Sequence, residues 1–229
     1  MITTRKVHGP DIFEGEANVD FKALAKSGAK FAIFKINEGD YMDSRATVAR
    51  VKAIREAGLV AGAYVFMRPK AGRTGAQEFQ IFYNKGLSLG LWKRDKQTVR
   101  DIRPVLDCEA TGFNTDTVLG RLQTRRYIRS AIKECKRLTG HLPIIYTGKW
   151  WWEDTIKCRW SLGCPLWLAS YPNNPKLPLP SSYLPSAWKE AALWQFTDSH
   201  SAPGINNPCD YNVYVGKGGL AGFRTALTF

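Results

Sequence analysis

Apolar, β-rich runs alternate with amphipathic stretches along most of the chain, the pattern of βα units wrapped around a parallel sheet. Strands are predicted over residues 7–11, 31–37, 60–66, 103–108, 144–147, 166–169, 193–196 and 211–215. Helices fit between the earlier strands. They are expected over residues 21–26, over 45–57 opening from Asp43-Ser44 and closing at Gly58, over 75–85, and over 117–138 capped by Asp116. After Pro165 the punctuation changes: Pro172, Pro175, Pro178, Pro180, Pro185, Pro203 and Pro208 leave little room for full crossover helices. The predicted fold is α/β, a modified β/α (TIM-like) barrel of about eight strands whose last strands are poorly connected by helices and partly antiparallel. Neither an internal repeat nor a Ser/Gly linker interrupts the pattern, so residues 1–229 read as one catalytic barrel domain without a separate wall-binding module.

Composition adds little to the fold and more to the partner. The 229 residues are 44% hydrophobic and 23% charged, which excludes disorder and collagen-like repeats. No apolar run approaches the roughly 20 residues of a bilayer span, and the charged N-terminus is not followed by the apolar core of a signal peptide. The formal charge is +13, and after Tyr171 only four basic and three acidic residues remain, so the excess belongs to the first three quarters of the chain. An anionic surface or polymer is the partner this implies. Arg121, Arg125, Arg129 and Lys133 recur every fourth residue along the longest helix, joined by Arg126, Lys136 and Arg137, while Leu122, Ile128, Ile132, Cys135 and Leu138 form its other face. Most such stripes are simply solvated; this one is dense enough to be considered for phosphate-rich polymer or a membrane surface.

Five cysteines, at 108, 135, 158, 164 and 209, show no C-x-x-C spacing. Buried free thiols are expected, with Cys158 and Cys164 the pair near enough to close a loop. The three histidines form no zinc motif, and no G-x-S-x-G, Walker A or G-x-G-x-x-G pattern occurs. Neither a metal nor a cofactor is expected.

In a barrel of this kind the chemistry sits at the C-terminal ends of the strands, and several strands here end in acids. Asp11 closes the first, Glu38 follows the second, and Asp107 with Glu109 closes the fourth. Alternation places residues 107 and 109 on one face, their Cα atoms about 6.6 Å apart. Two carboxyls sharing a pocket split their protonation, giving an acid beside a carboxylate, which is the division glycoside hydrolysis requires. Alone, a D-x-E pair is better read as a metal site or an ion pair with arginine; the other strand-end acids shift the balance toward catalysis. Tyr64, Phe66, Tyr146, Trp150 to Trp152, Trp167, Tyr171 and Trp194 stand at or just beyond strand ends, where rings can stack on sugars, although for any one of them core packing is the simpler reading.

These residues together resemble glycoside hydrolase family 25, the Chalaropsis-type lysozymes. The resemblance runs from residue 7 to about residue 216. It is carried by Gly9-Pro10-Asp11, Lys35-Ile36-Asn37-Glu38-Gly39 with Tyr41 and Asp43, Gly62-Ala63-Tyr64-Val65-Phe66, and Pro104-Val105-Leu106-Asp107-Cys108-Glu109. Tyr146-Thr147-Gly148, Leu166-Trp167-Leu168-Ala169 with Tyr171, Trp194-Gln195 and Asp210-Tyr211-Asn212 complete it. It implies hydrolysis of the β-1,4 bond between N-acetylmuramic acid and N-acetylglucosamine in bacterial peptidoglycan. Glu109 would be the general acid and Asp107 its partner, holding the 2-acetamido group or stabilising the cationic centre, with Asp11 and Asp210 completing the catalytic cleft. Glu38, Tyr64, Phe66, Tyr146, Trp167, Tyr171, Trp194 and Gln195 would bind substrate. Phe13, Asn37 and Val65 depart from the family pattern, where a small polar residue, Thr or Ser, and His are usual, and bear on substrate detail. The missing signal peptide resembles a phage endolysin, made in the bacterial cytoplasm and released to the wall through a holin-type membrane hole. A monomer without specific nucleic-acid binding is expected. A non-catalytic binder of wall glycan or anionic polymer on the same barrel is the competing reading.

Overall fold

The strands close on themselves. In the computed structural model, which describes residues 6–16, 18–69, 72–92, 101–109 and 115–229, β1 (His8–Ile12), β2 (Phe31–Glu38), the two-residue β3 (Tyr41–Met42), β4 (Val60–Phe66), β5 (Val105–Asp107), β6 (Ile144–Thr147), β7 (Leu166–Ala169), β8 (Leu193–His200) and β9 (Cys209–Tyr214) form one sheet. Its order is β1-β9-β8-β7-β6-β5-β4-β2-β3, and the additional pairing of β1 with β2 seals an eight-stranded barrel with β3 as a short flap on β2. Seven barrel strands run parallel; β9 alone is antiparallel to both neighbours, as the proline-rich second half led us to expect. The seam between β1 and β2 needs a glycine, since a Cβ on Gly9 would lie 2.0 Å from the carbonyl oxygen of Phe31.

Alternation sorts the strand side chains into two cores. Phe31, Ile33, Val60, Tyr64, Val105, Ile144, Tyr146, Trp167, Leu193 and Tyr214 fill the barrel interior, while Phe34, Val65, Leu106, Cys108, Ile145, Leu168 and Trp194 join the layer beneath the helices. The helices are α1 (Phe21–Lys26), α2 (Val48–Glu56), α3 (Gly75–Ser88), α4 (Val118–Thr139) and α5 (Gly219–Leu227). A π-helical turn, Trp150–Thr155, stands between β6 and β7, and a single 3-10 turn, Ser181–Tyr183, lies between β7 and β8. The sequence reading misses α5, which closes the bottom of the barrel: Phe223 stacks on Phe31 at 5.2 Å and meets Tyr214 edge-on at 5.6 Å. With that end plugged, the open mouth is at the C-terminal ends of the parallel strands.

Two caps move relative to the sequence reading. Asp43 accepts from the amide of Arg45 (2.8 Å) in a local turn, and α2 starts later with Thr47 as its cap. Thr117, rather than Asp116, caps α4 through the amide of Gly120 (2.9 Å). Either hydroxyl contributes about 1 kcal/mol. Leu122 is 38% exposed, so it lies off the buried face of α4, which runs through Gly120, Thr124, Ile128, Ala131 and Cys135. The basic stripe is largely occupied. Arg121 donates to the carbonyls of Thr115 and Asp116, Arg125 to those of Ile156 and Lys157 at the end of the π-helical turn, and Arg129 lies 4.9 Å from the Trp160 ring.

All five cysteines are buried free thiols, so Cys158 and Cys164 are not joined. Among the described residues no helix is long and apolar enough to cross a membrane. The charged run at residues 1–5 lies outside the described residues.

Candidate active site

The barrel mouth holds a cavity of about 210 Å³ to which all the strands but β3 and β9's outward residues contribute, with acids on three sides. β1 supplies Asp11, β5 supplies Asp107 and is followed by Glu109, and β9 supplies Asp210. Because β9 runs backwards, its first residues lie at the same rim as the last residues of its neighbours, and Asp210 stands directly opposite Asp11 in the β1–β9 register. Like charges facing across a strand pair repel. Burial and this repulsion push Asp210 up to about 8, while Asp11, almost fully buried, rises to about 6 although Asn212 and Gln195 hydrogen-bond its charged form.

Asp107 and Glu109 lie within hydrogen-bonding reach of each other. Burial, then Glu109 and Asp11, drive Asp107 well above the usual carboxylate range; burial, then Asp11, also raises Glu109, against the lowering effect of its bond to Asp107. The pair therefore keeps a proton where isolated carboxyls would have lost it. Asp107 Oδ1 is buried with no hydrogen-bond partner among the described residues, leaving an acceptor for a bound molecule.

Asp11 is the best-anchored of the four. Gln195 Nε2 donates to both its oxygens at 3.0 Å, and Asn212 Nδ2 donates to Oδ1 at 2.7 Å and to the Gly9 carbonyl at 3.1 Å. Both amides are themselves oriented. Tyr146 and Tyr171 donate to Gln195 Oε1, and Trp167 Nε1 donates to Asn212 Oδ1 at 2.7 Å. Gln195 and Asn212 thus present N–H groups to Asp11, with no freedom to flip.

The cavity also brings together Glu38, Tyr64, Phe66, Tyr146, Trp167 and Gln195 from the sequence-derived set, and Tyr171 lines an adjoining cavity with Glu109. Trp194 is not among them. Neighbouring residues of a strand face opposite ways, so with Gln195 turned inward Trp194 points outward, fully buried, its indole donating to the Ser170 carbonyl at 2.8 Å. Glu38 is not a free fifth acid, because Lys35 at 3.4 Å and Arg68 both pair with it. A bulge between Lys35 and Asn37 lets Lys35 and Glu38 both face the cavity.

Of the three departures from the family pattern, only Phe13 reaches the cleft, 40% exposed with Lys35 Nζ 5.4 Å from its ring. Val65 faces the outer layer, and Asn37 turns to the Gly39 carbonyl. Sequence reasoning missed Asn212 and Lys35 as parts of the site. The first was available, since Asn212 stands two residues beyond Asp210 on the same strand face; the second depends on the bulge.

The model of the glycosyl hydrolases family 25 matches residues 10–205. The chain belongs to that family. The resemblance read from its motifs is thereby confirmed, and the protein is a glycoside hydrolase. Among relatives, lysozyme M1 of Streptomyces globisporus is 27% identical over 219 residues, covering 93% of this chain and 69% of its own. Among solved structures, the bacterial lysozyme from Streptomyces coelicolor superposes with a TM-score of 0.79 at 26% identity, covering 97% of each chain. The family GH25 lysozyme from Aspergillus fumigatus gives a TM-score of 0.78 at 27% identity over 98% of this chain and all of that one.

Proposed function

We propose that this family 25 enzyme is a lysozyme that hydrolyses the β-1,4 bond between N-acetylmuramic acid and N-acetylglucosamine in peptidoglycan, with Glu109 as general acid. The observation that carries this reading is the convergence of Asp107, Glu109, Asp11 and Asp210 on one cavity, where burial and mutual repulsion raise Asp107 and Glu109 above the usual carboxylate range. Glycoside cleavage needs a proton for the departing oxygen and negative charge beside the cation left behind. Glu109, the more accessible of the pair, delivers the proton. Asp107 offers Oδ1 to the acetamido N–H of the sugar undergoing cleavage, and Asp11 and Asp210 surround its anomeric centre. Tyr64, Phe66 and Trp167 wall that sugar. The gathering of all four acids at one mouth favours catalysis over a binding-only role.

The test is mass spectrometry of the soluble fragments released from purified peptidoglycan. Reducing-end muramic acid identifies the cut bond; reducing-end glucosamine refutes the assignment. Glu109→Gln keeps the shape of the side chain but cannot donate the proton, so turnover should fall by about 10² to 10⁴ with the fold intact.

The +13 charge supports attraction to an anionic wall polymer or membrane surface, and we read the protein as a monomer with no specific nucleic-acid partner. A cytoplasmic origin followed by release to the wall through a membrane hole, as for an endolysin, fits buried free thiols that need no oxidising compartment.

A further inference from the structure

A second cavity, about 600 Å³, adjoins the first and shares Glu109 and Tyr146 with it, whereas Asp11, Asp107 and Asp210 line only the smaller one. We propose that this larger cavity binds the departing amino sugar and that Trp150 is its stacking face. The inference rests on the lysozyme reading and goes on from it to say where the leaving group lies.

The general acid must stand at the oxygen between the two sugars. The sugar that becomes cationic belongs among the carboxylates, in the smaller cavity, so the sugar that leaves belongs on the other side of the acid. Glu109 is the carboxylate of the cluster that faces both spaces.

The walls suit a sugar ring. Of the three consecutive tryptophans, Trp151 and Trp152 are fully buried, but Trp150 is 54% exposed, and Tyr171, 46% exposed, lines the same cavity. Large aromatic faces left open in a concave site mark a binding surface, because the C–H face of a pyranose gains there what water cannot give. Gly148 leaves room for the indole where it is: a Cβ there would fall 2.7 Å from Trp150 Nε1 and push the ring off its place along the cavity wall. Lys149 Nζ donates to the Ser182 carbonyl at 2.9 Å, tying the two sides of the cavity together. Asp154 and Ser182 supply polar groups at the edge for hydroxyl and acetamido contacts.

The test is steady-state kinetics on soluble, uncrosslinked glycan strands. Trp150→Ala should raise KM about tenfold, the scale of one lost stacking contact, with kcat and Tm little changed, because the indole is half exposed and lies outside the cavity that Asp11, Asp107 and Asp210 line. Trp150→Phe should restore most of the loss. Ser182→Trp, which fills the cavity from its exposed opposite wall, should raise KM as well. An unaltered KM in Trp150→Ala and Ser182→Trp overturns the inference, and so does a larger rise in Phe13→Ala, which would place the departing sugar on the other wall. Failure of the lysozyme reading would look different: the wild-type enzyme itself would yield no reducing-end muramic acid.

Discussion

Asp210 faces Asp11 across the β1–β9 seam, is largely removed from water and, among the described residues, accepts no hydrogen bond that would offset either cost. Its replacement by asparagine should therefore stabilise the fold while impairing hydrolysis. The carboxyl rises from 3.8 to about 8 in the folded chain. Below the lower value both folded and unfolded chains hold the proton, and the group costs nothing. As pH climbs between the two values the unfolded chain gains by ionising, so stability is progressively lost, and above about 8 the loss is complete. Each unit corresponds to about 1.4 kcal/mol. Because Asp210 keeps part of its surface in water, we expect about 2–4 kcal/mol of that to be recovered by Asp210→Asn slightly above neutrality. For a chain of this length that is a rise in Tm of about 5–12 °C. Thermal melts of both proteins near pH 4 and near pH 7.5 provide the assay. The gain should appear at the higher pH and nearly vanish at the lower. An equal gain at both values would show that asparagine acts by packing, and a lower Tm near pH 7.5 would refute the reasoning.

Asn212→Ala removes a donor from Asp11 and strands the Trp167 indole, so kcat should fall and the pH profile should shift to higher values on its acid limb, where Asp11 ionises; an unchanged profile would show that Asn212 does not tune it. Phe223→Ala empties the plug at the bottom of the barrel and should cost about 3–5 kcal/mol in urea unfolding with KM unaltered. Arg125→Gln should lower Tm, because the guanidinium satisfies the carbonyls ending the Trp150–Thr155 turn, but leave the salt dependence of wall lysis as it is; a weakened salt dependence would restore a targeting role to the stripe.

The barrel was legible because its strands are short apolar runs separated by amphipathic helices, and alternation alone placed Asp107 and Glu109 on the inner face with Cys108 on the outer. The same rule, applied at β8, separates Gln195 from Trp194, which the resemblance had grouped together. What alternation could not reach were the irregularities. The bulge in β2 adds Lys35 beside Glu38, and α5 has neither a side-chain cap nor a strand after it to mark it as an element of the barrel. Cap positions shifted because Asp and Thr stand side by side ahead of a helix, as at 116 and 117; either type can accept the first-turn amide, and here Thr117 does. The relay through Gln195 and Asn212 joins residues from five strands, and no single stretch of sequence displays it.

The reversed direction of β9 also sets when the enzyme becomes an enzyme. Asn212 reaches Asp11 across 201 positions of sequence, and it does so only after β9 has been inserted between the first strand and the eighth. Contacts of such separation form late, since a long loop must close before they are rewarded. A chain unzipped at this seam carries every acid it needs and yet has no oriented Asp11 and no Asp210 at the mouth. The oriented Asp11 and the Asp210 that faces it are thus properties of the closed barrel and of no part of it.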